Sequence, residues 1–275
     1  MTDSPQEFYS LNNTDAQVTY ISTRRAKDWV PFLLPHLQPG MSLLDCGCGI
    51  GTITLDLAEL VAPGHVIGVD MDNAQLEIAR ASAQKRGLTN VTFEQGNVYE
   101  LRFPSASFDV VNAHTLLYHL SDQLRAIREM RRVLKPAGLI AISDDDFDTV
   151  TLAPTHPLNE RILEIWKNAV LFNGGNPFYS RNLRALLREA GFHRTEGFAT
   201  AAEHYGRLEE TRRMAGVMRG QFNDPAFAGL ATSQGWTTPE ELAAISAWLN
   251  EWGSHPDAFM AIMYCAALGW NEQAG

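Results

Sequence analysis

The feature that most constrains the fold is the segment LLDCGCGIGTIT, residues 43–54. An apolar run that ends in Asp45 is followed by glycine at every second position, Gly47, Gly49 and Gly51, and then by the helix-like run TITLDLAELV. Glycine adopts backbone conformations that other residues avoid, and it lets a ligand approach the main chain closely. The pattern therefore predicts a buried strand, a tight turn with a ligand against it, and a helix.

Apolar runs and helical runs alternate with short connections from about residue 42 onward. The runs MSLLD, HVIGVD, VTFEQG, FDVVNA and LIAISD read as strands. Between them, NAQLEIARASAQKRG reads as a helix stopped by Gly87, and SDQLRAIREMRRVL as a helix capped by Ser121 or Asp122. This alternation predicts a parallel, Rossmann-like sheet covered on both faces, with ligands at the carboxyl ends of the strands.

The pattern changes after Asp148. NERILEIWKNAVLF reads as a helix, RNLRALLREAGF as a helix opened by Ser180, and most of the remaining chain to Trp252 as helical. The run AFMAIMYCAALGW, residues 258–270, reads as a buried strand. The aromatic residues of this half belong either to ordinary core packing or to a cap over the active edge of the sheet. They are Trp166, Phe172, Tyr179, Phe222, Trp236, Trp248 and Trp252.

Charge and cysteine usage narrow the partners and the setting. The net charge of the 275-residue chain is −10, which repels a nucleic-acid backbone, so we expect no nucleic-acid partner. No apolar run reaches the ~20 residues that cross a bilayer, so we expect no membrane partner. Cys46, Cys48 and Cys265 form no even disulfide framework, which favours a cytoplasmic location.

The acidic residues around the turn indicate which ligand it holds. A dinucleotide fingerprint needs Gly-x-Gly-x-x-Gly, and the spacing here is one residue short. Asp45 would repel a pyrophosphate but attracts a ligand with an amine and a sulfonium. Asp70 ends the next strand, where a carboxylate accepts hydrogen bonds from a ribose diol. S-adenosylmethionine combines these features.

The ordered motifs of the first half carry a resemblance to a known family. LLDCGCGIGTIT, VIGVDMD, FEQGNVYELRF, FDVVNAHTLLYHL and RRVLKPAG, within residues 40–145, resemble class I S-adenosylmethionine-dependent methyltransferases of the ubiquinone/menaquinone-methyltransferase-like, small-molecule branch. The resemblance implies an α/β fold: a Rossmann-like, seven-stranded, mostly parallel sheet with helices on both faces and a helical substrate cap. It also implies methyl transfer to a small-molecule acceptor, with S-adenosylhomocysteine as the product.

The same resemblance implies how one domain, residues 1–275, is divided. The expected parts are an N-terminal cap helix (1–38), a cofactor-binding core (40–148), helical cap insertions (149–180 and 203–254) and a last strand that returns to the sheet (255–270).

The resemblance also implies a set of cofactor-binding residues. The turn lies under the methionine portion, Asp70 binds the ribose, and Met71 lies against the adenine. Asn97 replaces the family's aspartate at the adenine amine, which weakens that contact, and the Val98 N–H meets the adenine ring. The expected set is Tyr20, Arg25, Asp45, Gly47, Cys48, Gly49, Asp70, Met71, Asn97, Val98, Ala113 and His114.

The N-terminal segment NTDAQVTYISTRRAKDWV reads as one helix capped by Asn13, Thr14 or Asp15. Related enzymes fold such a helix over the cofactor. The resemblance then implies that Tyr20, with Arg24 or Arg25, contacts the methionine carboxylate.

Methyl transfer from a sulfonium requires a nucleophile held in line at ~3–3.5 Å and the exclusion of water. A base is needed only when the acceptor arrives protonated. Tyr118 and His119, after the fourth strand, are the catalytic candidates, although a packed structural role is an equal alternative for the histidine. The run 144–146 is an amine anchor, a metal site or a solvated acidic turn; we expect no metal.

Two other functions stay open from the sequence. The first is a nucleic-acid or protein methyltransferase, although the Asn/Asp-Pro-Pro-Tyr motif of amino-methyltransferases is replaced here by NAHTLLY. The second is a protein that binds S-adenosylmethionine without catalysis. We expect a monomer or a homodimer.

Overall fold

The computed structural model describes residues 15–204 and 206–272. The strands of its sheet are β1 (Leu43–Cys46), β2 (Val66–Asp70), β3 (Val91–Gln95), β4 (Phe108–His114), β5 (Leu134–Ala153), β6 (Arg194–His204) and β7 (Phe259–Trp270). Their spatial order is β3-β2-β1-β4-β5-β7-β6. Strands β1 to β5 are parallel, and β7 is antiparallel to both β5 and β6. The predicted seven-stranded, mostly parallel sheet is confirmed.

Helices cover both faces of this sheet. The described helices are α1 (Asp15–Ile21), α2 (Ala26–Trp29), α3 (Thr52–Val61), α4 (Asn73–Arg86), α5 (Gln123–Val133), α6 (Pro157–Phe172), α7 (Leu183–Glu189), α8 (Leu208–Phe222), α9 (Pro225–Ser233) and α10 (Pro239–Trp252). None of them is long and apolar enough to cross a membrane.

Buried side chains form three apolar clusters. One joins α2, α3 and α4 to one face of the sheet, and a second joins α5 and α7 to the other face. The third joins α6, α8, α9 and α10 to each other and to the first residues of β7. The helices α6, α8, α9 and α10 therefore build a separate layer, the cap, beside the carboxyl ends of the strands.

Local signals account for the helices of the first half. The Asp72 carboxylate accepts a hydrogen bond from the Ala74 N–H and so caps α4, which ends at Gly87 with a φ of 68°. Asp122 is the cap of α5, since its carboxylate accepts from the Arg125 N–H. The predicted stop at Gly87 is confirmed, and Asp122 is the cap among the two alternatives.

The sequence predicted a single helix for the N-terminal segment, but the structure has two short helices there. α1 ends at Ile21, and α2 begins at Ala26 after an extended Arg25. The hydroxyls of Ser22 and Thr23 donate to the carbonyls of Thr19 and Tyr20, at 2.6 and 2.7 Å, which is a local alternative to continued helix. Of the three predicted caps, Asn13 and Thr14 lie outside the described residues.

Three further predictions for the second half need correction. β6, Arg194–His204, lies where the sequence reads as helical, because pairing with β7 outweighs an Ala- and Glu-rich local preference. α7 begins at Leu183, after a short 3-10 turn at Ser180–Asn182. β5 runs on to Ala153, so residues 144–146 lie inside a strand and do not form a solvated turn.

A buried carboxylate connects the helices α2, α3 and α4 on one face of the sheet. Asp56 on α3 accepts hydrogen bonds from the Ala26 N–H and the Arg25 Nε, and from Arg86 of α4, each at 2.9 Å. The residue is 9% exposed. The helix α2 therefore docks through charge as well as apolar contact.

We expect Asp56→Ala to lower the free energy of unfolding by ~1–3 kcal/mol, because it leaves the buried Ala26 N–H without an acceptor. Glu59→Ala is the control, since Glu59 is a half-exposed partner of the same Arg86. Its loss should cost less than ~1 kcal/mol. Urea unfolding of both variants measures the difference, and equal losses would contradict the assigned role of Asp56.

Candidate active site

The turn between β1 and α3 is held in a left-handed backbone conformation. Gly47, Gly49 and Gly51 have φ values of 70°, 52° and 77°. The N–H groups of Gly47 and Cys48 donate to the carbonyl of Val69 at 2.8 and 3.1 Å, which fastens the turn to β2. A Cβ on Gly47 would lie 2.9 Å from Leu116 Cδ1, so the close approach also excludes a side chain there.

Asp70 stands at the end of β2 and holds the same turn. Its Oδ2 accepts from the Gly49 N–H and its Oδ1 from the Asp72 N–H, both at 2.9 Å. Burial raises the pKa of the Asp70 carboxyl above its usual value, while these hydrogen bonds oppose the rise. A carboxylate has about four lone-pair sites, so two hydroxyls of a ribose can still bind.

Asp45 acts through its charge. It is 3% exposed, and its oxygens accept from the Thr54 hydroxyl at 2.5 Å and the Asn112 amide at 2.7 Å. Burial raises the pKa of Asp45 to about 6, against the effect of these two hydrogen bonds. Above that pH the turn has a buried negative charge beneath it, which favours a cationic ligand.

These groups open onto one cavity of about 280 Å³. It runs from the glycine turn, past the ends of β2 and β4, to the cap. Most of the predicted site residues line it: Tyr20, Asp45, Gly47, Cys48, Gly49, Asp70, Met71, Asn97, Val98, His114, Tyr118 and His119. The structure thus brings together predicted residues that are spread along the sequence from Tyr20 to His119.

Arg25 and Ala113 do not line the cavity. The Arg25 guanidinium pairs with Asp56 at 2.8 Å, and Ala113 is fully buried inside β4. Arg24, the other predicted alternative, lines the cavity instead. Its guanidinium lies 4.3 Å from the ring centre of Trp29, and its Nη1 donates to Thr115 Oγ1 at 3.3 Å. Both arginines lie in the connection between α1 and α2, where Arg25 has an extended backbone. The two side chains therefore meet different neighbours, and Arg24 replaces Arg25 as the residue that lines the cavity.

The predicted adenine residues lie together at the ends of β2 and β3. Met71 is 56% exposed in spite of its apolar side chain. The Asn97 Oδ1 accepts from the Tyr99 N–H at 2.9 Å, which orients this side chain in the loop after β3. Gln95 fixes the Met71 segment by donating to the Met71 carbonyl at 2.9 Å. The arrangement suits a flat ring against Met71 with polar contacts on its edge.

Two histidines line the cavity beyond β4, the buried His114 and the partly buried His119. Burial, and then the charge of Arg24, lower the pKa of His114 well below its ordinary range, and its Nδ1 lies 2.8 Å from Ser143 Oγ. Burial lowers the pKa of His119 to about 3. The His119 ring lies against Tyr118, with centroids 3.7 Å apart. Both histidines are therefore neutral at physiological pH.

The residues that the sequence did not assign lie mainly in the cap and in β5 and β7. They include Gln75, Thr115, Leu116, Phe147, Val150, Ala169, Val170, Met214, Val217, Met218, Gln221, Met260, Ile262 and Tyr264. Asp145 and Trp166, which the sequence offered as an amine anchor and as a cap aromatic, also line the cavity. Met214, Val217, Met218 and Gln221 repeat at the spacing of one helix face, which the sequence does show. The sequence does not show that this face of α8 lines the cavity, because that depends on how α8 packs in the folded protein.

Among the described residues, no group of three or more histidine, cysteine, aspartate or glutamate side chains is placed to hold a metal ion. In residues 144–146 the strand period places alternate side chains on opposite faces. The metal alternative for this run therefore has no geometric support.

Comparison with known proteins assigns the family. Residues 37–191 match the model of a methyltransferase domain. The chain belongs to this family. It is a class I S-adenosylmethionine-dependent methyltransferase of the quinone-methyltransferase-like branch.

Two relatives cover most of this methyltransferase. The probable methyltransferase ltbC of Aspergillus luteorubrus is 30% identical over an alignment of 290 positions, gaps included, that covers 98% of each chain. The demethylmenaquinone methyltransferase of Lactococcus lactis is 39% identical over 196 residues, or 70% of this chain and 72% of the relative.

Solved structures share the fold. The YcgJ protein of Bacillus subtilis has a TM-score of 0.57 at 19% identity, covering 89% of this chain and 98% of its own. The [4+2]-cyclase SpnF has a TM-score of 0.52 at 23% identity, covering 94% and 82%. Since this fold also carries a cyclase, the fold alone does not define a reaction.

We expect Asp70→Ala to weaken S-adenosylhomocysteine binding roughly 10- to 100-fold, because charge-assisted hydrogen bonds to the ribose contribute ~1.5–3 kcal/mol. The melting temperature should also fall, since the Gly49 and Asp72 N–H groups lose their acceptor. Glu94→Ala, an exposed carboxylate on β3 outside the cavity, is the control. Calorimetric titration measures the dissociation constant of both variants. An unchanged dissociation constant in folded Asp70→Ala would show that the ribose is held elsewhere.

The raised pKa of Asp45 predicts pH-dependent binding. Acidification protonates Asp45 near pH 6 in the free protein and removes the charge that attracts the ligand's amine and sulfonium. A bound cation lowers the Asp45 pKa, so the affinity for S-adenosylmethionine should fall roughly tenfold from pH 7 to pH 5. The same titrations on Asp45→Asn should show a flatter pH profile. An identical profile in wild type and variant would contradict this role of Asp45.

Proposed function

We propose that this methyltransferase transfers a methyl group to a small, largely apolar molecule by in-line displacement at the sulfonium methyl. The observation that supports this most is the single cavity that joins the glycine turn to the cap. Its volume of about 280 Å³ is close to the lower end of ~300–1,000 Å³ for small-molecule sites.

The cap wall of this cavity is apolar and partly aromatic. α6 contributes Trp166, Ala169 and Val170, and α8 contributes Met214 and Met218. Methionine and aromatic side chains adapt to flat, hydrophobic ligands. The wall supports an acceptor with a ring or another apolar body.

The cofactor end suits S-adenosylmethionine, which supplies a methyl group on positively charged sulfur. Asp70 accepts from the ribose, Met71 and Val98 pack at the adenine, and the glycine turn admits the methionine portion. Arg24 neutralises the carboxylate of S-adenosylmethionine, while the buried charge of Asp45 balances the amine and the sulfonium of the cofactor. The cap excludes water from the nucleophile, which leaves the reaction to positioning.

Tyr118 and His119, the catalytic candidates from the sequence, line the region between these two ends. With a pKa of about 3, His119 is too weak a base to hold a proton at neutral pH. We therefore assign to this pair the shaping of the acceptor site by ring contact and hydrogen bonding.

The relatives are consistent with an apolar acceptor. The Lactococcus lactis relative is a demethylmenaquinone methyltransferase. A nucleic-acid substrate is disfavoured by the net charge of −10. Free cysteines at 46, 48 and 265 support the proposed cytoplasmic location. A monomer or a homodimer is proposed as the working form.

The proposal is tested by measuring S-adenosylhomocysteine formation with panels of phenols, hydroquinones, amines and thiols, and with duplex DNA and a mixed protein extract as alternative acceptors. Turnover with a small molecule and none with the polymers is the expected result. Turnover with DNA or protein alone would overturn the small-molecule assignment.

We expect Trp166→Ala to raise the KM for the acceptor several-fold, because it removes apolar area from the cap wall. The dissociation constant of S-adenosylhomocysteine should stay within about twofold. Trp236→Ala is the matched control, since Trp236 is a cap tryptophan that packs on Phe172 and does not line the cavity. Equal effects of both changes on KM would mean that the cap acts through stability alone.

A further inference from the structure

Two buried aspartates of β5 fasten the connection between α6 and α7, residues 173–182, to the sheet. Asp144 is fully buried, and its Oδ2 accepts a hydrogen bond from the Tyr179 hydroxyl. Asp146 is 2% exposed, and its Oδ2 accepts from the Arg181 Nε at 2.6 Å. Because alternate side chains of a strand lie on one face of the sheet, both anchors lie on the same face.

Asp144 also holds the short 3-10 turn that follows β4, Leu117–His119. The Leu117 N–H donates to the same Asp144 Oδ2 at 3.1 Å. Leu117 is fully buried and Tyr179 is 3% exposed, so both hydrogen bonds lie away from water. One carboxylate oxygen therefore joins the turn to β5 and to the α6–α7 connection.

The α6–α7 connection also contacts the turn directly. The Asn176 N–H donates to the Tyr118 carbonyl at 3.1 Å. A Cβ on Gly175 would lie 2.2 Å from that carbonyl oxygen, so only glycine fits there. The turn is therefore fixed at its first residue by Asp144 and at its second residue by the backbone of the connection.

The turn belongs to the wall of the cavity. Tyr118 and His119 line the cavity, whereas Asp144 and Tyr179 are not among the described residues that line it. The Tyr118 ring lies beside the ring of Phe147, another lining residue, with centroids 5.6 Å apart. Asp144 and Tyr179 therefore act on a bound molecule through the turn that they hold, without touching that molecule.

This polar anchor lies in apolar surroundings. Leu117, Tyr118 and Tyr179 belong to the cluster that joins α5 and α7 to the sheet. Burial, and then the charge of Asp145, raise the pKa of the Asp144 carboxyl well above its usual range. Burying a polar group costs free energy that its hydrogen bonds offset, and apolar side chains would avoid that cost. Hydrogen bonds instead fix distance and direction, which is what a wall of defined position requires.

We propose that Asp144 and Tyr179 are positioning residues for the acceptor molecule: they hold the Leu117–His119 turn where it brings the acceptor's nucleophile in line with the sulfonium methyl. This inference rests on the function proposed above. In-line transfer needs the reacting atoms ~3–3.5 Å apart, and a displacement of ~1 Å costs roughly 100-fold in rate. A small shift of this wall therefore slows transfer even when the ligand contacts are still present.

Tyr179→Phe tests the proposal directly, because it keeps the buried ring and removes the hydroxyl that binds Asp144. The first measurement is amide hydrogen exchange in the presence of S-adenosylhomocysteine. We expect the amides of residues 116–120 to exchange several-fold faster than in wild type, because the turn opens locally more often. The amides of α3, behind the glycine turn, should keep their wild-type rates.

The second measurement is steady-state kinetics with the small molecule of the acceptor panel that gives the fastest S-adenosylhomocysteine formation. In Tyr179→Phe the kcat should fall roughly tenfold with a smaller change in KM, since misplacement acts on the transition state more than on binding. The dissociation constant of S-adenosylhomocysteine should be unchanged.

Arg181→Gln is the matched control. Among the described residues, the Arg181 guanidinium donates to Asp146 and Asp148 of β5, so it anchors the same connection without contacting the turn. The change should lower the melting temperature, while the exchange of residues 116–120 and the kcat stay as in wild type.

Gly175→Ala approaches the same turn from its other side. Because the added Cβ meets the Tyr118 carbonyl, this variant should also speed the exchange of residues 116–120 and lower the kcat. Gly229→Ala in α9 is its control, since a Cβ there meets open space.

Unchanged exchange of the turn in folded Tyr179→Phe would overturn the proposal, and so would equal acceleration in Tyr179→Phe and Arg181→Gln. Faster exchange with an unchanged kcat would also overturn it, because the turn would then move without consequence for transfer. The exchange measurement needs no acceptor, so its result is separate from that of the acceptor panel, which decides the proposed function.

Discussion

The hydrogen bond from the Gly49 N–H to the Asp70 carboxylate is the contact on which the cofactor end of the site depends. It joins the turn after β1 to the end of β2, and the second Asp70 oxygen continues the connection to the start of α4. Because the turn is left-handed at three glycines, its backbone N–H groups point away from their own helix and need an outside acceptor. Asp70 therefore completes the turn, and it also lines the cavity, where its remaining lone pairs can accept further hydrogen bonds.

The electrostatics of the cavity follow from burial. Asp45 is buried and Asp70 partly buried, and both carboxyls have raised pKa values; His114 is buried and His119 partly buried, and both imidazoles have lowered pKa values. In each case removal from water disfavours the charged form. A bound cation reverses this effect for the carboxylates, so the cofactor end is arranged to bind positive charge. The histidines stay neutral and offer hydrogen bonds without competing for that charge.

The acceptor end is built differently. The cap helices α6 and α8 cover it with methionine, valine and tryptophan side chains, and β5 and β7 supply the polar groups. Strand alternation separates the aspartates of β5 into two that hold the fold together and one that faces the cavity. In the proposed function this division matters, since the shared fold supports several chemistries and the proposed acceptor lies against the residues of this end.

The sequence by itself determined the parallel core, the glycine turn and the acids that flank it, because each depends on local periodicity or on a short motif. It also determined the stop at Gly87 and narrowed the cap of α5 to Ser121 or Asp122, since both features involve contacts within a few residues. Tertiary structure decided the rest. β6 is a strand because β7 pairs with it, Arg24 reaches the cavity because the chain breaks between α1 and α2, and Asp145 faces the cavity because β5 continues past the predicted loop. The break between α1 and α2 is set locally by the Ser22 and Thr23 hydroxyls, but Thr115, which Arg24 contacts there, is 91 residues away. The two strand outcomes depend on partners more than 50 residues away in the sequence, and local preference is too weak to override the burial and hydrogen bonding that such partners provide.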